Sequence, residues 1–222
     1  MFYEVLNEKQ LKVLEKISYQ MPVQGSYLAG GTALALQLGH RKSEDLDWFS
    51  PVEFSVDELS SKLKKIGNFQ VLDLSKGTFH GIVDGVRITW LFFPNPLLKE
   101  LVIDKNLNNL PLASLEDIGL MKLIAVSQRG AKKDFIDLFA LTQKGIEVGE
   151  LLKSLHLKYP REKLNYYHIV KSLCYFDDAE EELMPEMLWN YNWDEIKKYF
   201  LGKQKEFINV LKNLTVKEGI EY

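Results

Sequence analysis

The chain has 222 residues, of which 46% are apolar and 27% charged, with a formal net charge of −3 and a pI near 5.9. These values are ordinary for a soluble globular protein, and they exclude binding to nucleic acid through overall basicity. A single cysteine excludes an internal disulfide and fits a reducing compartment. No N-terminal apolar segment and no apolar run of ~18 residues is present, which predicts a cytoplasmic protein without membrane contact.

The first half of the chain predicts a mixed α+β region. Its elements, in chain order, are a helix over 7–20, a short strand, a short helix from Thr32 to Leu38, a strand around Asp45 and Asp47, a helix over 55–67, a strand over 69–74 and a hairpin over 78–93. The sharpest local signals are the capping-box pattern of Asn7 with Gln10 and the Asp84-Gly85 dipeptide, which favours a type I′ turn.

The second half of the chain predicts helices only. They are expected over 114–130, 132–143, 147–157, 161–176 and 193–213, and no strand signal is convincing after residue 104. An α+β fold class follows, with a lobe over 1–108 and a helical lobe over 109–222.

A Gly-Gly-Thr triplet, Gly30 to Thr32, precedes an Asp-x-Asp pair at Asp45 and Asp47. Glycine lets backbone N–H groups approach phosphate oxygens because no Cβ intervenes, and the helix that follows would point its positive end at the same anion. Side chains alternate along a strand, so the two aspartates face one way and can share hard cations. The combination indicates a phosphate site beside a Mg²⁺ site, which is the equipment for phosphoryl or nucleotidyl transfer.

These motifs resemble the first motif of the AbiEii/AbiGii nucleotidyltransferase toxin family, a branch of the DNA polymerase β-like nucleotidyltransferase superfamily. The likeness is carried by Gly30–Leu34, His40–Ser43 and Asp45–Phe49, and further on by Lys122 and Lys133–Leu138. It implies a polymerase β-like nucleotidyltransferase lobe with a mixed sheet, followed by a helical lobe.

The resemblance also implies a set of site residues. The expected catalytic residues are Asp45, Asp47, Lys122 and Asp134, of which Asp45 and Asp47 would hold one or two Mg²⁺ ions. The expected nucleotide-binding residues are Gly30, Gly31, Thr32, Arg41, Ser43 and Lys133. Asp137 either joins this set or braces Lys133 or Arg129.

One position departs from the superfamily pattern. These enzymes usually carry a third carboxylate on the strand beside the Asp-x-Asp pair, and the matching strand here offers Thr89. Three explanations are open: Thr89 binds a metal through water, Asp84 bends in from the hairpin turn, or Asp134 or Asp137 approaches from the helical lobe.

The implied activity is Mg²⁺-dependent transfer of a nucleoside monophosphate from a nucleoside triphosphate to the 3′ hydroxyl of an RNA, with tRNA suggested by the family. The implied setting is a bacterial toxin–antitoxin or phage-defence module, in which a cognate antitoxin protein is the partner. Two alternatives are a degenerate fold that binds a nucleotide or a partner without turnover, motivated by Thr89, and an enzyme that modifies small aminoglycoside-type compounds.

Overall fold

In the computed structural model, which describes residues 1–218 and the side chains of residues 1–214, the chain divides into two compact units. The first unit, Met1–Ser114, is mixed α and β, and the second, which begins at Leu115, is helical. This composition confirms the predicted fold class. A functional boundary between residues 108 and 109 stays a prediction.

The first unit contains three α-helices and seven strands among the described residues. Its helices are α1 (Glu8–Tyr19), α2 (Gly30–Leu38) and α3 (Val56–Ile66). Its strands are β1 (Tyr27–Ala29), β2 (Leu46–Ser50), β3 (Phe69–Ser75), β4 (Thr78–Val83), β5 (Val86–Phe92), β6 (Val102–Asp104) and β7 (Leu110–Leu112).

The seven strands form one mixed sheet in the order β3-β4-β5-β2-β1-β7-β6. β2 runs parallel to β5 and β1 runs parallel to β7, whereas the other neighbours are antiparallel. Trp48 and Trp90 stack in the core with ring centroids 5.0 Å apart, and the indole of Trp90 donates to the Ser26 hydroxyl at 2.9 Å. β2 therefore lies near the middle of the sheet, held on both sides by hydrogen-bonded strands.

Two local signals in the sequence are confirmed. The Asn7 side chain accepts from the Gln10 N–H at 3.0 Å, and the Gln10 side chain accepts from the Asn7 N–H at 2.8 Å, which is a complete capping box. Asp84 and Gly85 have φ angles of 49° and 83°, as a type I′ turn between β4 and β5 requires.

Two expectations for the first unit are wrong. β7 lies beyond residue 104, where no strand was expected; it is three residues long with Pro111 at its centre, and its pairing with β1 is not a local signal. The helix expected from Thr32 begins two residues earlier, at Gly30, which takes a φ of 67° at its first position.

The second unit is a set of packed helices. They are α4 (Leu115–Arg129), α5 (Lys132–Thr142), α6 (Val148–Lys158), α7 (Tyr166–Ser172), α8 (Asp177–Glu180) and α9 (Trp193–Glu218). α4 packs against α5, α6 and α7. The segment expected to be helical over 161–176 holds only α7, because the Asn165 side chain caps the His168 N–H at 2.9 Å and starts the helix there.

Aromatic side chains fill part of the core of the second unit. The Phe135 ring lies 5.1, 5.9 and 5.4 Å from the rings of Phe176, Trp193 and Phe200.

Within residues 1–218, no helix combines the length and the apolar character needed to cross a membrane.

Candidate functional site

The two aspartates of the Asp-x-Asp pair open onto one cavity in the first unit. Leu46 and Trp48 are fully buried, whereas Asp45 and Asp47 are half-buried, as the alternation of a strand predicts. The cavity is open to solvent and has a volume of about 270 Å³. It is lined by Asp45, Asp47, Leu72, His80, Gly81, Arg87, Ile88 and Thr89.

Asp47 lies directly against the start of α2. Ala29 pairs with Asp47 across β1 and β2, which brings the next residue, Gly30, under the carboxylate. A Cβ on Gly30 would lie 2.7 Å from Oδ2 of Asp47, and the φ of Gly30 is +67°. Glycine is therefore needed here both for its backbone conformation and for the close approach of the carboxylate.

Thr32 and Ser43, which were predicted to bind phosphate, form hydrogen bonds that hold the loop between α2 and β2 in place. Thr32 is 1% exposed, its Oγ1 lies 2.6 Å from the Ser43 hydroxyl, and it also donates to the carbonyl oxygen of Asp45. The Gln10 side chain donates to the Ser43 carbonyl at 2.7 Å. These bonds fix the backbone that leads into Asp45.

Arg41, in the same loop, is 4% exposed. Its Nη1 donates to the carbonyl oxygen of Lys42 at 2.9 Å. The structure thus places Arg41 inside the loop framework, and its role toward a phosphate stays a prediction.

A second group of predicted residues forms a buried ionic cluster in the helical unit. The Nζ of Lys122 on α4 lies 2.7 Å from Oδ1 of Asp134 and 2.6 Å from Oδ2 of Asp137, both on α5. Arg129 adds a bidentate contact, with its Nε and Nη2 donating to the two Asp134 oxygens at 2.7 and 2.9 Å. Lys122 and both carboxylates are almost completely shielded from solvent.

The two cations of the cluster favour the ionised form of the Asp134 carboxylate. Burial alone would raise the pKa of Asp134, but the charges and hydrogen bonds of Lys122 and Arg129 hold that pKa below its usual range. Asp137 pairs with Lys122 from the neighbouring helix, and the alternative that it braces Arg129 stays a prediction. Lys133 is exposed and forms no ion pair with residues 1–214.

Thr89, and not a carboxylate, lies where the superfamily usually has its third acid, as the sequence predicts. Thr89 on β5 pairs in register with Asp47 on β2. Asp84 does not reach toward it, because its carboxylate is bonded to the Lys16 ammonium at 2.8 Å and to the Asn68 N–H at 2.8 Å.

His80 was missed by the sequence analysis. It pairs in register with Thr89, and its Nδ1 lies 3.3 Å from the Thr89 Oγ1. The only sequence signal was a polar side chain on one face of the predicted hairpin. That signal could not be used without the register of the neighbouring strands.

Comparison with known proteins identifies a family to which the region containing Asp45 and Asp47 is similar. Residues 23–95 match the family described as "Nucleotidyl transferase AbiEii toxin, Type IV TA system". The chain is also 36% identical over 206 residues to a protein of Aquifex aeolicus (strain VF5) described as "Uncharacterized protein aq_aa25", which covers 91% of this chain and 98% of that relative.

Two solved structures share the fold. MenT4, a nucleotidyltransferase toxin from Mycobacterium tuberculosis H37Rv, is similar with a TM-score of 0.59 and 16% identity, over 90% of this chain and 81% of that chain. A candidate nucleotidyltransferase from H. pylori is similar with a TM-score of 0.56 and 15% identity, over 93% of this chain and 95% of that chain.

The family match includes both the Gly-Gly-Thr triplet and the Asp-x-Asp pair, and the two structural similarities support the polymerase β-like fold. The resemblance identified from the motifs is thereby confirmed. Through the match over residues 23–95, the chain belongs to the AbiEii nucleotidyltransferase toxin family, and it is a nucleotidyltransferase.

Proposed function

We propose that this nucleotidyltransferase transfers a nucleoside monophosphate from a nucleoside triphosphate to the 3′ hydroxyl of an RNA, with tRNA as the RNA class, in a Mg²⁺-dependent reaction. Its setting would be a cytoplasmic toxin–antitoxin or phage-defence module with a cognate antitoxin protein. The observation that carries the proposal is the pair Asp45 and Asp47 in one open cavity, with Asp47 against Gly30 at the N-terminus of α2.

The donor set fits Mg²⁺. Asp45 and Asp47 are half-buried carboxylates that line the same cavity. Mg²⁺ is commonly held by one or two carboxylates together with substrate phosphates and several waters, so a complete protein cage is not required. Among residues 1–214, no three His, Cys, Asp or Glu side chains are grouped closely enough to hold an ion. Asp45 and Asp47 would hold one or two Mg²⁺ ions, which would neutralise charge on the triphosphate when bound.

The triphosphate would be bound mainly by backbone groups at the start of α2. The first N–H groups of a helix lack partners within the helix and carry its positive end, which suits an anion. Ala29, the N-cap residue of α2, provides no side-chain cap for them. Gly30 and Gly31 would supply N–H groups, while the Thr32 and Ser43 hydroxyls, bonded to each other, would hold the shape of the cradle.

The two lysines predicted to take part in the reaction, Lys122 and Lys133, differ in their exposure to solvent. Lys133 is exposed and can neutralise a phosphate directly. Lys122 is already paired with Asp134 and Asp137, so a direct contact of Lys122 with a phosphate would require this cluster to open. In this proposal Asp134 and Arg41 support the binding residues within their own units.

A direct assay tests the proposal. Purified protein is incubated with each of the four α-labelled nucleoside triphosphates and with bulk tRNA, in Mg²⁺ or in EDTA. Label is expected on the RNA only with Mg²⁺, and periodate-oxidised RNA, which lacks the 3′ hydroxyl, is expected to remain unlabelled. Label on aminoglycosides instead of RNA would contradict the RNA acceptor, and no transfer to any acceptor would contradict the proposed activity.

A binding function without turnover is the second candidate, and Thr89 beside Asp47 is the observation that favours it. Under this alternative, calorimetry would detect tight binding of a nucleoside triphosphate, while the transfer assay would give no product with any acceptor. Transfer of label by the wild-type protein would eliminate this alternative.

Exchanging Gly30 for alanine tests the contact between α2 and Asp47. The Gly30→Ala Cβ would push on Oδ2 of Asp47, and a displacement of about 1 Å in an active site can cost about a hundredfold in rate. Nucleotidyl transfer is therefore expected to fall about a hundredfold. The free energy of unfolding should fall by only about 1–2 kcal/mol, because the positive φ disfavours alanine.

Gly25→Ala is the matched control. Gly25 has a φ of +77°, but a Cβ there would meet nothing within 4 Å. Its free energy of unfolding should fall by a similar amount, about 1–2 kcal/mol, with the transfer rate unchanged. Equal rates in the two variants would show that the close approach of Asp47 to Gly30 has no part in the reaction.

A further inference from the structure

Three polar side chains form a row across the sheet of the first unit. Asp47 on β2 pairs in register with Thr89 on β5, and Thr89 pairs with His80 on β4. Residues directly opposite each other on neighbouring strands project from the same face of a sheet. All three also line the cavity that contains Asp45.

The proposed reaction needs a proton acceptor in this row. The hydroxyl that attacks the α-phosphorus has to lose its proton, and a well-placed base contributes typically about 10²–10⁴-fold to such a step. Thr89 cannot accept a proton near neutral pH, and an arginine such as Arg87 stays protonated. Asp45 and Asp47 are assigned to the cation, so His80 is the group lining this cavity that is suited to general base catalysis.

Thr89 is placed to set the orientation of the His80 ring. The His80 Nδ1 and the Thr89 Oγ1 are 3.3 Å apart, and a threonine hydroxyl can accept a hydrogen bond from a ring N–H. The hydrogen bond made by one ring nitrogen determines which nitrogen keeps its lone pair. With Nδ1–H donated to Thr89, Nε2 is the basic atom.

The charged groups around His80 come from three strands. Asp45 and Asp47 line the cavity from the β2 side, and Arg87 lines it from β5. Asp73 on β3 is the direct register partner of His80. The charged groups that line this cavity beside His80, or pair with it in register, are thus three carboxylates and one guanidinium.

We propose that His80 is the general base of nucleotidyl transfer and that Thr89 positions its ring. The acceptor oxygen forms a bond to the α-phosphorus while its proton passes to Nε2 of His80. The bond from the α-phosphorus to the bridging oxygen breaks, and pyrophosphate leaves with that electron pair. The Cα atoms of Asp47 and His80 are two strand spacings apart, roughly 10 Å, which leaves room for the reacting groups between them. This inference rests on the proposed function.

The test compares His80→Asn and His80→Gln with the wild-type protein. Asparagine retains an N–H donor near the position of Nδ1 but has no basic nitrogen, and glutamine places a non-titrating amide near the position of Nε2. Single-turnover transfer rates are measured from pH 5.5 to 8.5, and the Kd of the triphosphate is measured by calorimetry. Both variants should lose about 10²–10⁴-fold in rate, with the Kd within about twofold of wild type.

The pH profile separates a base from a structural residue. The wild-type rate should decline on the acidic side as the base becomes protonated, and this decline should be absent in both His80 variants. Added imidazole should restore part of the rate of His80→Asn. Thr89→Val should slow transfer about tenfold while keeping the acidic decline, and Thr89→Ser, which retains the hydroxyl, should be close to wild type.

His168→Asn is the matched control, because His168 is exposed in the second unit and its exchange should leave the rate unchanged. If wild type is active and His80→Asn is within threefold of it, the role of His80 is wrong and the proposed function stands. Retention of the acidic decline in a slow His80 variant would also overturn the role of His80. An inactive wild-type protein would overturn the proposed function, and this inference with it.

Discussion

Replacing Asp47 with asparagine is expected to lower nucleotidyl transfer by about a thousandfold while the protein remains folded. The exchange keeps the size of the side chain but removes the negative charge that would hold Mg²⁺, and a catalytic metal contributes several kcal/mol to transition-state stabilisation. Each ~1.4 kcal/mol corresponds to a factor of ten in rate. Single-turnover transfer of labelled nucleotide measures the loss, and circular dichroism verifies the fold.

Glu44→Gln is the control for this exchange. Glu44 is an exposed acid in the loop leading to Asp45, so its variant removes one negative charge next to the Asp-x-Asp pair without changing either member of it. Its rate should stay within about twofold of wild type, because an exposed charge contributes little. Similar losses in the Asp47 and Glu44 variants would point to a general effect of charge and would contradict the assignment of Asp47 as a metal ligand.

Replacing Lys122 with methionine is expected to lower the free energy of unfolding by about 3–5 kcal/mol, because it leaves two buried carboxylates without their shared cation. Lys122 lies 2.7 Å from Asp134 and 2.6 Å from Asp137, and both side chains are fully shielded from solvent. Urea unfolding at neutral pH measures the change. Arg129 still pairs with Asp134 in this variant.

Lys133→Met is the matched control, since Lys133 is exposed on α5 and the same substitution there removes the same charge. The free energy of unfolding of this variant should change by less than about 0.5 kcal/mol. A similar loss in both variants, or no loss in Lys122→Met, would show that the buried cluster does not stabilise the second unit.

The same cluster predicts a dependence of stability on pH. The pKa of Asp134 is lower in the folded protein than the ordinary aspartate value of 3.8, so the unfolded chain binds more protons as the pH falls. The contribution of Asp134 to the free energy of unfolding is fully present above the ordinary pKa of 3.8, and it is lost as the pH falls through the lower pKa of the folded protein. Lys122→Met removes one of the two cations that lower the pKa of Asp134. The decline of the free energy of unfolding below about pH 4 should therefore be shallower in this variant than in wild type.

The sequence was most informative where structure depends on neighbouring residues. The capping box of Asn7 with Gln10 forms, because it needs atoms only three positions apart. The alternation around Asp47 was equally local, since a strand puts successive side chains on opposite faces.

The rest depended on distant contacts. The pairing of Asp137 with Lys122 is set by how α4 packs on α5, which the spacing of residues within one helix cannot reveal. His80 acquires its neighbours from the registers of β4 with β5 and of β5 with β2. The first residue of α2, Gly30, lies against the carboxylate of Asp47 on β2, a contact that the local sequence cannot show.

The parallel pairing of β1 with β7 has a consequence for how the chain folds during synthesis. Leu28 pairs with Leu112, so β1, which ends at Ala29, has to wait for a partner from near the middle of the chain. At about 5–20 residues per second, the roughly 80 intervening residues take about 4–16 s to be synthesised. Until then β1 has an open edge, and an open edge can pair with another chain. A polypeptide released before Leu112 would therefore carry the two aspartates in an incomplete sheet prone to self-association.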